Sequence, residues 1–391
     1  MTDSRCGISR RRFLKTAAVG TAALAGIATG SAAEGPTLPR RKLGKTDLEV
    51  SVVGYGAEFI ADEGLVEHLV AQGVNHIDTA ALYQEGNSER LLAPVLAKHR
   101  DVLIATKLMR TIPVDGPKEQ YLESFNQSCE RMQVKGVDIL YLHDRRTPDS
   151  VNCPAAKAAF DELKAAGRAK HFGMSTHLGQ PECVQAGLDL GWFDVMLVAH
   201  SFIYPQAVTD ALRAAVDKGI GVMTIKVCKA LSAGRDWYPR ATDEQKAILG
   251  AANLFQASIK WTLKHTFISA AVLCISNYEE AEQDLAAARE ALSGKEARAL
   301  GAYRELAATE VCRGCGSCDA ACPRGVAVSD ILRYRVYCEG YGQARAARAH
   351  YRSLPAGQTV VACDRCGACE AACPYGLAIT RQLRQAHQLL A

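Results

Sequence analysis

Eight of the chain's fifteen cysteines fall in two short runs near its C-terminus, Cys312-x2-Cys315-x2-Cys318-x3-Cys322-Pro323 and Cys363-x2-Cys366-x2-Cys369-x3-Cys373-Pro374. Thiolates two residues apart can wrap a soft metal centre, and Gly314, Gly316 and Gly367 ease the tight turns that such wrapping demands. One run alone would also suit zinc, for which four thiolates are a common ligand set. Two complete copies, each closed by Cys-Pro, point instead to two [4Fe–4S] clusters. A second group of chemically useful residues lies far upstream: Asp78, Tyr83, Lys107 and His143. A tyrosine near pKa 10 is a poor acid at neutral pH, and a neighbouring ammonium lowers that value. Lys107 can supply the charge, Asp78 can hold Lys107 protonated and oriented, and His143 can hydrogen-bond a substrate oxygen. That combination delivers a proton to a carbonyl, or takes one from an alcohol.

The cysteine region resembles the bacterial dicluster ferredoxins, with a longer spacer between the runs than the smallest of them have. The resemblance implies crossed ligation: Cys312, Cys315, Cys318 and Cys373 around one cluster, and Cys363, Cys366, Cys369 and Cys322 around the other. Cys338 lies in the spacer, where its spacing implies no ligand role and a buried thiol is expected. Arg333, Arg335, Arg345, Arg348 and Arg352 make the spacer basic, either as a docking face for an acidic redox partner or as a solvated helix face.

The elements that must position the upstream residues repeat one unit eight times. Strands are predicted at Glu49–Gly54, His76–Thr79, Val102–Lys107, Asp138–His143, His171–Ser175, Asp194–Val198, Gly221–Val227 and Ala270–Ile275. Between them run helical patterns such as Leu65/Leu69/Val70 and Phe160/Leu163, ending at glycines such as Gly73, Gly167 and Gly219. Eight such units over about 250 residues fit a (β/α)8 TIM barrel. A doubly wound sheet is the alternative, and no G-x-G-x-x-G follows a strand to support it. Asp78, Tyr83, Lys107 and His143 would then lie at or just beyond the C-terminal ends of strands two to four, where barrel enzymes keep their chemistry.

At that point the chain resembles the aldo-keto reductase family, over nearly all of Leu43–Leu292, in the order, strand placement and types of the four residues. Tyr83-Gln84-Glu85-Gly86-Asn87-Ser88-Glu89 is similar to the family's loop after strand two. The resemblance implies carbonyl–alcohol chemistry and a nicotinamide, NADP(H) or NAD(H), laid across the barrel mouth. Ser175, Thr176, Ser276 and Asn277 are its candidate contacts, while Leu197 and Ile225 stand where the family keeps a glutamine and an aromatic ring. Glu279 and Glu280 follow strand eight in place of a base for a 2′-phosphate. Arg145, Arg146 and Lys226 are placed at the mouth, either for a polar or anionic substrate such as a sugar or as solvated loop charges. His143, His177 and His200 end adjacent strands; hydrogen bonding is the favoured reading for them and metal ligation the lesser one. Cys228 and Cys274 read as ordinary buried thiols.

The chain's 391 residues divide into a leader (1–33), a barrel (40–298) and a small α+β dicluster ferredoxin-like domain (305–391), with the boundary between Gly294 and Val311. Ser9-Arg10-Arg11-Arg12-Phe13-Leu14-Lys15 matches the twin-arginine export pattern, an Ala/Gly-rich stretch follows, and Ser31-Ala32-Ala33 reads as a cleavage site. The expected location is periplasmic or otherwise extracytoplasmic, reached already folded through the twin-arginine translocase. The stretch is too short and weakly apolar for a stable membrane span. A net charge of +4 calls for no nucleic acid. The expected partners are a small carbonyl or alcohol substrate and an external one-electron carrier. Outside the cytoplasm a nicotinamide is expected only as a tightly bound group. Two further readings stand beside an oxidoreductase: an electron-transfer protein whose barrel turns nothing over, and a net non-redox enzyme with a bound cofactor.

Overall fold

The computed structural model describes residues 38–228, 231 and 241–391; the leader expected over residues 1–33 lies outside them. By packing, the described residues form two units. One comprises Leu38–Val227 and Ser258–Ala291, the other Cys228–Ala257 and Leu292–Ala391.

The first unit is a closed barrel of eight parallel strands: β3 (Val53–Gly56), β4 (His76–Asp78), β5 (Leu103–Leu108), β6 (Val137–Leu142), β7 (Ala169–Thr176), β8 (Val195–Ala199), β9 (Gly221–Ile225) and β10 (Ala270–Leu273). Each strand pairs with the next in sequence, and β10 closes against β3. Helices follow the strands, among them Asn87–Lys98, Lys118–Met132 and Pro154–Ala165. On the last of these Phe160 stacks on Phe172 of β7, with ring centres 4.6 Å apart. That contact is the aromatic part of the apolar stripe that the i, i+3 spacing predicted.

Alternate strand residues fill the barrel's interior: Ile139 and Tyr141, Val195 and Leu197, Ala270 and Val272. Tyr141 stands opposite Gly173 in register, and a Cβ on Gly173 would lie 2.5 Å from the Tyr141 ring. Only glycine leaves room for that phenol.

The first predicted strand, Glu49–Gly54, proves to be two elements. Glu49–Ser51 (β2) pairs antiparallel with Arg40–Lys42 (β1), and the barrel strand begins at Val53. The hairpin carries Leu43, Leu48 and Val50 into the barrel's apolar interior. Arg41 stitches it down by donating to the carbonyls of Leu263 and Ile268 at 2.8 and 2.5 Å. Hairpin residues and barrel residues are equally apolar here, so periodicity alone could not separate them.

The second unit, among the described residues, is built of helices and turns with no strand. The helix Gly294–Leu306 opens with a capping box between Ser293 and Glu296 and packs against Asp243–Gly250. The helix Val328–Glu339 packs against Ala344–Arg352 and Ile379–Leu390. His350 stacks on Tyr334 at 5.3 Å, and the Tyr351 hydroxyl meets His387 Nδ1 at 2.7 Å. Cys338 is fully buried in this helical group. No helix among the described residues is long and apolar enough to cross a membrane.

Candidate active site and cluster sites

Asp78 ends β4, Lys107 lies on β5, His143 follows β6, and Tyr83 opens the turn Tyr83–Gly86 after β4. The barrel brings all four together. Lys107 Nζ donates to Asp78 Oδ1 at 2.5 Å and to the Thr79 carbonyl at 2.7 Å, with both charged side chains 2–3% exposed. The same ammonium sits 4.7 Å from the centre of the Tyr83 ring. His143 meets that ring edge-on, with centres 6.0 Å apart and planes at 83°.

Burial pushes the Asp78 carboxyl above its usual range, and the adjacent Lys107 ammonium pulls against that rise. Burial, then the Lys107 charge, holds His143 well below the ordinary histidine value, so its imidazole is neutral. Asp78 Oδ2 and His143 Nδ1 are buried without a hydrogen-bond partner among the described residues. Orphaned polar atoms beside a phenol and an ammonium fit a site that waits for a polar ligand.

The turn that presents Tyr83 is costly and well braced. Gln84 and Glu85 both adopt left-handed backbone, with φ of 51° and 57°, before Gly86 at φ 80°. Non-glycine residues there cost about 1–3 kcal/mol each and persist only where neighbours enforce them. Gln84 Nε2 donates to the Ile60 carbonyl at 2.7 Å, and Ser88 Oγ to the Ala57 carbonyl at 2.8 Å. Glu89, fully buried, accepts from Thr106 Oγ1 at 2.7 Å and from Arg131 Nε at 2.6 Å. Since Thr106 precedes Lys107, Glu89 ties the tyrosine's loop to the lysine's strand. Ser88 and Glu89 stand in the loop after strand two without a role legible from their spacing. A charged residue on the buried face of a helical pattern was the available signal.

The candidate nicotinamide contacts are placed differently. Ser175 Oγ accepts from the Asp144 N–H at 2.9 Å, and Thr176 Oγ1 donates to the Leu178 carbonyl at 2.7 Å. The Ser276 N–H donates to Glu280 Oε2 at 3.0 Å, and Asn277 caps the helix Tyr278–Ala288 by accepting from the Glu280 N–H at 2.9 Å. Leu197 is part of the barrel core, and Ile225 ends β9. Thr176 donates its hydroxyl proton to the chain itself, Ser175 and Asn277 each accept a backbone N–H, and Leu197 and Ile225 offer no polar atom. This set fits a nicotinamide carboxamide poorly.

The cations expected at the mouth are likewise engaged internally. Arg145 folds back on the His143 carbonyl, donating through Nε at 2.9 Å and its terminal nitrogen at 2.6 Å, and is 5% exposed. Arg146 pairs with Asp144 at 2.8 Å and Lys226 with Glu58 at 2.9 Å. Glu58, in the turn after β3, is a wall residue the sequence did not suggest. Cys274 is only partly buried, not the fully buried thiol expected, and desolvation still pushes its thiol up to about 12. Cys228 turns to the Phe255 carbonyl at 3.9 Å. His200 is fully buried against Thr209 Oγ1 at 2.9 Å. His200 is engaged with Thr209 and His143 with the Tyr83 ring, which leaves hydrogen bonding as the role the structure offers these histidines.

In the second unit Cys312, Cys315, Cys318 and Cys373 line one cavity together with Arg313 and Tyr375. The fourth thiol comes from the other run, as the ferredoxin resemblance implies. Four thiols around a space, rather than around a point, fit an iron–sulfur cube by donor chemistry. Gly316 and Gly367, at φ 78° and 79°, open the matching helical turns Ser317–Ala320 and Ala368–Ala371. Backbone N–H groups of Gly314 and Val326 donate to the sulfurs of Cys312 and Cys322, both at 3.4 Å. Burial pushes the Cys318 thiol up, so the thiolate there needs the positive charge of a bound metal centre to form. Arg324 and Asp364, one from each run, pair at 3.0 Å. The spacer arginines do not form one face: Arg333 is buried against Asp330, Arg335 pairs with Glu339 at 2.8 Å, and Arg348 donates to the Leu389 carbonyl at 3.0 Å. Arg345 and Arg352 are exposed.

Residues 60–305 match the aldo/keto reductase family and residues 311–378 a 4Fe-4S dicluster domain. An uncharacterized oxidoreductase of Bacillus subtilis, YqkF, is 29% identical over 151 residues, 35% of this chain and 48% of that protein, so the chain spans about half its length. L-galactose dehydrogenase of Arabidopsis thaliana is 26% identical over 64% of this chain and 88% of its own. Pyridoxal 4-dehydrogenase of Microbacterium luteolum is 23% identical over 63% and 92%. Among solved structures, an aldo-keto reductase of Bacillus halodurans in its holo form superposes with a TM-score of 0.56 at 20% identity, over 69% of this chain and 96% of that one, a likeness of fold. The chain therefore belongs to the aldo/keto reductase family, a family of oxidoreductases, and carries a 4Fe-4S dicluster domain C-terminal to its barrel.

Proposed function

We propose that this protein is an exported iron–sulfur oxidoreductase that interconverts a carbonyl and its alcohol on a sugar or other polar small molecule. In this reading the clusters relay electrons to or from an external one-electron partner. The observation that carries the chemical half is the buried Lys107 ammonium, clamped by Asp78 at 2.5 Å and held 4.7 Å from the Tyr83 ring. A positive charge there favours the phenolate, so Tyr83 can give its proton to a carbonyl oxygen and recover it from an alcohol. The neutral His143 imidazole can hydrogen-bond the same oxygen and aim it. Oxidising the alcohol breaks an O–H and a C–H bond: Tyr83 takes the proton on oxygen, and the hydrogen on carbon leaves with two electrons as a hydride to a tightly bound two-electron carrier, which the clusters would re-oxidise one electron at a time. Cys312, Cys315, Cys318 and Cys373 would hold one cluster, and Cys363, Cys366, Cys369 and Cys322 the other. Each passes one electron at a time, so two transfers accompany a turnover.

Export is supported by the Ser9–Lys15 pattern. The twin-arginine route accepts folded cargo, which suits clusters that must be inserted first. Replacing Arg10 and Arg11 by lysine should retain the protein inside the cell; undiminished export would refute that route.

The poor fit of Ser175, Thr176, Leu197 and Asn277 to a nicotinamide favours a second reading, an electron carrier whose barrel no longer turns over. Anaerobic purification with iron counting, mass spectrometry of released nucleotides, and a panel of sugars and aldehydes against a one-electron mediator dye separates the two. We expect about eight irons and substrate-dependent dye reduction or oxidation. Tyr83→Phe should slow it by about 10²–10⁴. Iron without any substrate-dependent turnover leaves the carrier reading. A protein without iron refutes both.

A further inference from the structure

The two cysteine runs are internal repeats, and at matching positions their chemistry differs. Arg313 in the first run stands where the second has Asp364, and Ser317 where the second has Ala368. Arg313 lines the cavity of Cys312, Cys315, Cys318 and Cys373, is 8% exposed, and lies 4.4 Å from the centre of the Tyr375 ring on the cavity wall. Ser317 Oγ donates to Cys315 Sγ at 3.4 Å, and Ser329 Oγ lies 3.6 Å from Cys318 Sγ. In the second run Asp364 is an exposed acid paired with Arg324, its neighbour Arg365 is an exposed and hence solvent-screened cation, Thr380 stands where the first run has Ser329, and Ala368 has no hydroxyl to offer Cys366.

Reducing a cluster adds one negative charge to it. A cation in a low-dielectric wall and hydrogen-bond donors on the ligand sulfurs both stabilise the reduced form. A carboxylate does the opposite, and its half-solvated arginine partner only cancels it. Resting on the reading of two clusters with crossed ligands, we propose that the clusters sit at unequal potentials. The one ringed by Cys312, Cys315, Cys318 and Cys373 is the easier to reduce and is where an electron rests. Arg313 and Ser317 set that order as tuning residues, not as ligands.

The test is an anaerobic redox titration of the full-length holoprotein followed by electron paramagnetic resonance, with iron counted in the same samples. Two waves are expected. Cys373→Ala should abolish the wave at higher potential along with about half of the iron, which identifies it. Arg313→Gln and Ser317→Ala should move that wave to lower potential and leave the other in place. Arg313→Lys should keep it near its original position, and Ala368→Ser should raise the lower wave and narrow the gap. If Arg313→Gln loads no iron, Ser317→Ala and Ala368→Ser still decide. Fully loaded protein whose two waves coincide, or in which Ser317→Ala moves the wave that survives Cys373→Ala, overturns the ordering while leaving the clusters themselves intact. Wild-type protein that binds no iron removes the cluster reading instead, and the iron count tells the two failures apart.

Discussion

Replacing Lys107 by methionine removes the ammonium that Asp78 is buried against, leaving a carboxylate 2% exposed with no cation in contact. Breaking a buried pair in this way costs about 3–5 kcal/mol. For a domain of this size that corresponds to a drop of roughly 6–20 °C in the barrel's thermal midpoint. Removing both charges, as Asp78→Leu with Lys107→Met, should recover stability to within about 1 kcal/mol, because desolvating two ions offsets most of their attraction. Activity should not recover. Taking the 4.7 Å from the ammonium to the centre of the phenol ring as the charge separation, with an effective dielectric of about 20, its interaction with a full phenolate charge is about 3.5 kcal/mol. Losing that slows proton transfer by up to roughly 10²–10³. Circular dichroism melts at pH 7 with matched iron content give the first number, and dye-coupled turnover gives the second. A double variant as unstable as the two singles added together, or one that keeps its turnover, would refute the argument that the pair is retained for its charge beside Tyr83.

Other perturbations test the scaffold. His76 is fully buried, and burial pushes its imidazole down to about 4 from the usual 6.5. The unfolded ring takes a proton near pH 6.5 while the folded ring refuses it until about 4. Its contribution is therefore complete above pH 6.5 and is lost as pH falls toward 4, by about 3 kcal/mol; His76→Phe should flatten that part of the stability profile, and an unchanged slope would contradict the assignment. Glu89→Gln breaks the ion pair with Arg131 and should cost about 2–3 kcal/mol, read as a lower thermal midpoint; an unaltered midpoint would mean Glu89 does not brace the Tyr83 loop. Gly173→Ala drives a methyl to 2.5 Å from the Tyr141 ring and should destabilise the barrel by about 1–3 kcal/mol, measured by the same melts.

The residues legible in the sequence are those whose chemistry is strange in its surroundings. Lys107 on an apolar strand and Asp78 at the end of another each demand a partner, and the structure makes them each other's. Gln84 and Glu85 in left-handed backbone were not legible, because nothing in their types marks φ above zero. Arg145 shows the converse: a cation in a loop reads as solvent-facing, yet this one is spent on the His143 carbonyl. Glu49–Ser51, one arm of the hairpin, reads as continuous with the first barrel strand, since apolar residues in a plug and in a strand carry the same pattern.

The cysteine spacing and the eightfold alternation of strand and helix determined by themselves that a cluster-binding segment follows a barrel. Ligand wrapping and secondary-structure period are local, acting over a few residues, and so they are written in the order of the chain. The tertiary structure alone decided which distant groups meet, such as Lys226 with Glu58 across 168 positions and Cys373 with the first cysteine run. It also decided which polar residues are consumed as scaffold and which are left for chemistry. Closure of a sheet and folding of a repeat onto its copy create those contacts, and neither leaves a mark within any short stretch of sequence.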